Sequence, residues 1–139
     1  MKYLVMVQGS QADYAAMSGE SSGGRPAWSK KDMQEMFAFM ESINNDLAES
    51  GEMVDANGLV EPARTRAVLA GPDGPVITDG PYGETKEQIA GYWVLDCESL
   101  ERVTEIAARV ARCPQPEGTP VHPVLIRPID DGEVAAGPE

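Results

Sequence analysis

Apolar positions fall along the chain in two kinds of run, and their spacing predicts the elements. Residues 3–7 are continuously apolar between Lys2 and Gln8, the pattern of a strand buried on both faces. Residues 9–27 turn polar and Gly/Ser-rich, which predicts a long loop. Ser29 is placed to cap a helix, with Trp28 and Met33 at the two positions of a hydrophobic staple. Met33, Met36, Phe37, Met40, Ile43 and Leu47 then recur at helical spacing, and Gly51 supplies the stop. Residues 52–64 contain Asn57, Gly58 and Pro62, a turn-rich connection with room for a short extended piece. Residues 65–70 and 76–78 flank a Gly/Pro segment as a hairpin with Asp73 and Gly74 at its tip. A strand rich in aromatic and β-branched residues follows at 89–95. A second helix, opened by residues 96–99, carries the stripe Leu100, Val103, Ile106, Ala107 and Val110 and ends at Cys113 and Pro114. Residues 121–127 predict the last strand, with Pro123 confined to an edge or to the strand's start.

The order is β-α-β-β-α-β, an α+β, ferredoxin-like antiparallel sheet with two helices on one face. The strand after Pro75 is either separate or part of the second strand's turn. Residues 3–7, 67–70, 92–95 and 124–126 do not alternate apolar with polar, so both sides of the sheet should leave water. Two helices cover only one side. A second copy packed sheet against sheet, as a symmetric homodimer, is the economical cover for the other.

Length and charge narrow the rest. The 139 residues fit one domain, expected over 1–129, with an acidic, frayed tail at 130–139. A formal net charge of −12 disfavours nucleic acid and anionic membranes as partners, and solubility is the simplest reason for it. The first residues lack the apolar length of a signal peptide, and no run reaches a membrane span, so a cytoplasmic protein is expected. Cys97 and Cys113 are far apart and the chain has one histidine, so neither a zinc site nor another metal site is expected. No phosphate-binding glycine loop, dinucleotide fingerprint or nucleophile elbow is present, and no cofactor is expected.

The segment Thr78-Asp79-Gly80-Pro81-Tyr82, continued by Glu84-Thr85-Lys86-Glu87-Gln88 and Gly91-Tyr92, resembles the signature of the DGPF branch of the YCII-related proteins, with Tyr82 where Phe is usual. Lys2 to Met6, Gly51-Glu52, Asp96 and Arg127-Pro128 extend the resemblance over nearly the whole chain. It implies a dimeric α+β barrel with a cleft between sheet and helices for small, often aromatic molecules. It also implies two contexts: a His–Asp pair in the YCII-type members proper, with a dehydrochlorinase of hydroxylated aromatics as one relative, and an association with extracytoplasmic-function sigma factors. A His–Asp pair with its histidine on the first helix has no match here, because no histidine precedes residue 122.

Five side chains are the candidates for chemistry. His122 is the one group that ordinarily titrates near neutrality, a general base if a carboxylate such as Asp79 or Asp96 orients it, or else a histidine at a fraying strand start. Asp79 either orders its turn through backbone N–H groups or stands at a pocket mouth as base or ligand. Lys86 either pairs locally with its acidic neighbours or offers a cation to an anionic substrate. Tyr82 and Tyr92, with Trp93, would form an aromatic wall, Trp93 fitting core packing better. The three methionines of the first helix fit core packing better than an adaptable ligand surface. Two functions remain open: a small-molecule site with cofactor-free elimination or isomerisation chemistry, and a non-catalytic regulatory or interaction module.

Overall fold

The computed structural model describes residues 1–21, 24–80 and 86–132. Strand β1 (Lys2–Gly9) is followed by a short helix α1 (Gln11–Met17) and the long helix α2 (Lys30–Ser50). Strand β2 (Met53–Gly58), a 3₁₀ turn at Pro62–Arg64, and the hairpin strands β3 (Arg66–Gly71) and β4 (Gly74–Asp79) come next. Strand β5 (Gln88–Asp96), helix α3 (Leu100–Val110) and strand β6 (Leu125–Pro128) complete the chain. The main sheet runs β2-β5-β1-β6 with every pairing antiparallel, which is the ferredoxin-like order.

Register explains the core. Tyr3 lies opposite Leu95 and Val5 opposite Trp93, so these four side chains share one face of the sheet. Ile43 and Leu47 from α2, and Val103, Ile106 and Val110 from α3, pack onto that face. Both helices start as the sequence predicts. Ser29 and Asp32 form a reciprocal capping box on α2, and the Ser99 hydroxyl accepts from the Arg102 N–H on α3. Gly51 ends α2 in the left-handed conformation, φ 80°, which only glycine adopts cheaply.

Four expectations are corrected. The second strand of the sheet is β2, not the 65–70 segment; Asn57 and Gly58 lie within it, paired to Tyr92 and Gly91. Its polar, turn-like sequence suits an edge strand, where pairing to β5 overrides local preference. The β3–β4 hairpin is instead a separate two-stranded ribbon. The predicted loop at 9–27 contains α1, a helix whose capping box is Ser10 with Asp13. The last strand begins at Leu125, so 121–124, including Pro123, is irregular chain. Finally, α2 buries only Ile43 and Leu47 fully: its first turns, with Met33, Met36 and Phe37, overhang a cavity rather than filling the core, and Met40 borders that cavity while packing against the core. Of the tail expected at 130–139, residues 133–139 lie outside the described residues.

On the sheet face away from the helices Leu4, Tyr92 and Val94 are only partly buried. On the hairpin, Val68 and Leu69 face Ile77 and Val76 across the ribbon, and all four are more than half exposed.

Candidate functional site

Between the sheet and the overhanging half of α2 lies a cavity of about 650 Å³. Its walls are mostly apolar: Met33, Met36, Phe37 and Met40 from α2, with Trp28 and Trp93. A cavity of this size, apolar with a few converging polar groups, is the usual form of a small-molecule site. Gly91 lets the walls approach, since a Cβ there would meet the Asn57 carbonyl at 3.2 Å and Val7 at 3.4 Å. Tyr14 donates its hydroxyl to the Leu59 carbonyl at 2.8 Å, pinning α1 to the end of β2. Burial pushes the Tyr14 hydroxyl above its ordinary pKa, which keeps it a donor.

The polar end is built around Asp13. As the third residue of α1 it is fixed by the capping box: its Oδ2 accepts from the Ser10 N–H at 2.8 Å. The same oxygen lies 2.8 Å from His122 Nε2, and Oδ1 accepts from the Arg25 guanidinium. Burial alone would raise the Asp13 carboxyl. The hydrogen bonds from Ser10, Arg25 and His122 outweigh it, so the carboxyl lies below its ordinary value and is a carboxylate at neutral pH. A carboxylate only accepts, so His122 Nε2 must carry the proton and donate it.

His122 arrives from the irregular segment after α3. Gln8, just past a bulge in β1, donates to the Pro123 carbonyl at 2.9 Å and holds that segment against the sheet. The ring is buried. Its Nδ1 lies 3.0 Å from Glu87 Oε1, close enough for ionic attraction when the ring is protonated yet outside hydrogen-bonding geometry, so its hydrogen-bonding capacity is unfilled among the described residues. The buried hydroxyl of Thr119, three residues earlier on the same cavity wall, likewise has no hydrogen-bond partner among the described residues.

The predicted residues are thus only partly brought together. His122 lines the cavity; Tyr92 borders it through its strand, while its side chain lies on the sheet face away from the helices, where the hydroxyl accepts from Asn57 Nδ2 at 3.0 Å. Trp93 is buried, donates to Asn44 Oδ1 at 2.8 Å and shows one side to the cavity. Lys86 is outside the cavity wall, and Tyr82 lies outside the described residues. Asp79 ends β4 and takes a two-pronged ion pair from Arg66, at 2.7 and 3.2 Å, on an exposed ribbon remote from His122. Asp96 sits at the far end of β5 against the N-terminal ammonium. The carboxylate beside His122 is therefore Asp13, not Asp79 or Asp96. The sequence signal for it was present in Ser10-Gln11-Ala12-Asp13, a capping-box spacing inside the supposed loop. A His–Asp pair does exist, with the aspartate on the first helix and the histidine near the other end of the chain.

No helix among the described residues is long and apolar enough to cross a membrane. An uncharacterised protein of Rhizobium meliloti (strain 1021) is 30 % identical over 95 residues, covering 68 % of this chain and 76 % of that protein. The model of the YCII-related domain matches residues 1–122, a span that takes in β1, the cavity, Asp13 and His122. The chain belongs to the YCII-related family.

Proposed function

We propose that the protein binds a small organic molecule in the cavity beneath α2 and acts on it by cofactor-free acid–base chemistry of the elimination or isomerisation type. The observation that carries this reading is the 2.8 Å contact of His122 with Asp13 at the polar end of an otherwise apolar cavity. Asp13 fixes the tautomer, which leaves Nδ1 as the nitrogen that takes up or gives a proton. Trp28 and Trp93 would hold a planar or aliphatic body. Lys86 would offer its charge at the rim, and Asp79 keeps the base of the hairpin closed.

The test is a thermal-shift screen of small acids, alcohols and hydroxylated aromatics. A ligand at a hundredfold excess over its Kd should stabilise the protein by about 2.7 kcal/mol. Trp28 and Trp93, the two tryptophans of the chain, both line the cavity, so a true ligand must also change their fluorescence. Where a hit is turned over, His122→Asn should slow it about 10²–10⁴-fold. Ligands that bind without touching tryptophan fluorescence would place the site elsewhere.

The uncovered sheet face and the apolar ribbon favour a second reading. They fit sheet-to-sheet association of two copies, or a regulatory contact such as the sigma-factor partner that the resemblance implies. Light scattering decides the first: a monomer at micromolar concentration removes the homodimer.

A further inference from the structure

Within the Asp13–Arg25–His122 cluster the aspartate oxygens are both occupied, while His122 Nδ1 is buried and makes no hydrogen bond among the described residues. A buried polar atom in that condition calls for an explanation. The Thr119 hydroxyl on the same wall shares the condition. Its O–H is a donor, and Nδ1 of the imidazolium form is a second. A carboxylate already lies near Nδ1: Glu87 at 3.0 Å, whose side chain is 47 % exposed. It is therefore well placed to leave for water.

We propose that Glu87 is an internal placeholder, and that the ligand is a small apolar carboxylic acid whose carboxylate replaces Glu87 on His122 Nδ1 and accepts from Thr119. A carboxylate offers two acceptor oxygens and no donor, which matches two donors. The exchange keeps the local charge unchanged, because one carboxylate leaves as another enters. The apolar body then lies among Met33, Met36, Phe37 and Met40. An amide of the same shape fits less well, because it brings no negative charge to the imidazolium and only one acceptor oxygen.

This inference rests on the cavity being a ligand site. Tryptophan fluorescence titrations with octanoate, octanamide and octanol, on the whole chain and two variants, separate the two claims. Octanoate should bind the parent about tenfold more tightly than octanamide. Glu87→Ala should bind octanoate about tenfold more tightly than the parent does and leave octanamide unchanged, since it removes only the competitor. His122→Asn should lose the preference for the acid. The inference is overturned if Glu87→Ala leaves octanoate affinity unchanged or weakens it, or if acid and amide bind the parent equally. In those cases the cavity reading stands. If no probe binds parent or variants, the cavity reading falls and takes this inference with it.

Discussion

The sheet carries an acid–arginine pair at each end, and the two behave differently. At one end Glu52, just after α2, takes a two-pronged ion pair from Arg102 of α3, at 2.8 and 2.9 Å. It lies beside a solid core containing Cys97, Val103 and Leu47. At the other end Asp13 holds Arg25 and His122 beside a cavity. Arg102 is 38 % exposed and Arg25 only 8 %. The first pair ties helix to sheet where packing is complete. The second holds charged groups largely out of water where packing is incomplete. Burial without filling is what separates the site from the scaffold.

The largest expected effect tests that contrast directly. Asp13→Asn removes the negative charge held against a buried guanidinium and against His122, and breaking a buried pair typically costs about 3–5 kcal/mol. Glu52→Gln acts on a pair whose arginine already reaches water, so it should cost about 1–2 kcal/mol. Urea denaturation of the two variants checks the order. Equal losses would mean that the two ends are equivalent scaffolding.

The core strands and both long helices were legible from spacing and caps, because those signals are local. Residues 3–7 and 89–95 are apolar runs, and Ser29, Ser99 and Gly51 mark the helix ends. What escaped was set by tertiary pairing. Met53–Gly58 is polar and turn-like and becomes a strand only because β5 lies beside it. The methionine stripe has core periodicity, but periodicity does not say whether the facing volume is filled. Asp13 and His122 are 109 residues apart, and only the fold places them together. Tyr92 and Asp79 both stand out through local motifs; in the fold Tyr92 turns its side chain to the face away from the helices, and Asp79 pairs with Arg66 on the ribbon.

The same contrast runs along α2. Leu47→Ala at the packed end should cost about 2–5 kcal/mol, the transfer loss plus the cavity left behind. Met36→Ala over the existing cavity should cost less than about 1 kcal/mol and still weaken ligand binding, because no close-packed neighbours are lost. Equal destabilisation by the two would show that the overhanging half is core after all.

A last expected effect is a pH dependence that should belong mainly to the packed end. Arg102 holds the Glu52 carboxyl well below its ordinary value of 4.5, down to about 2. A carboxyl whose folded pKa is depressed binds protons more readily in the unfolded chain, so its contribution is present above the unfolded pKa and is lost on acidification. The stability Glu52 provides is therefore full above about pH 5 and falls away between pH 4.5 and about pH 2. Asp13 has the same sign, and its share is lost in acid below its ordinary value of 3.8. With solvent screening on the Arg102 side, the Glu52 share amounts to about 1–2 kcal/mol. Across a pH series, the Tm gap between the parent and Glu52→Gln should be a few degrees, roughly 3–6 °C, at pH 6. It should close as the pH approaches 2, because protonation of the parent does chemically what the substitution does permanently. A gap that stays constant down to pH 2 would mean that the substitution acts through packing, and that the two-pronged contact contributes nothing that depends on charge.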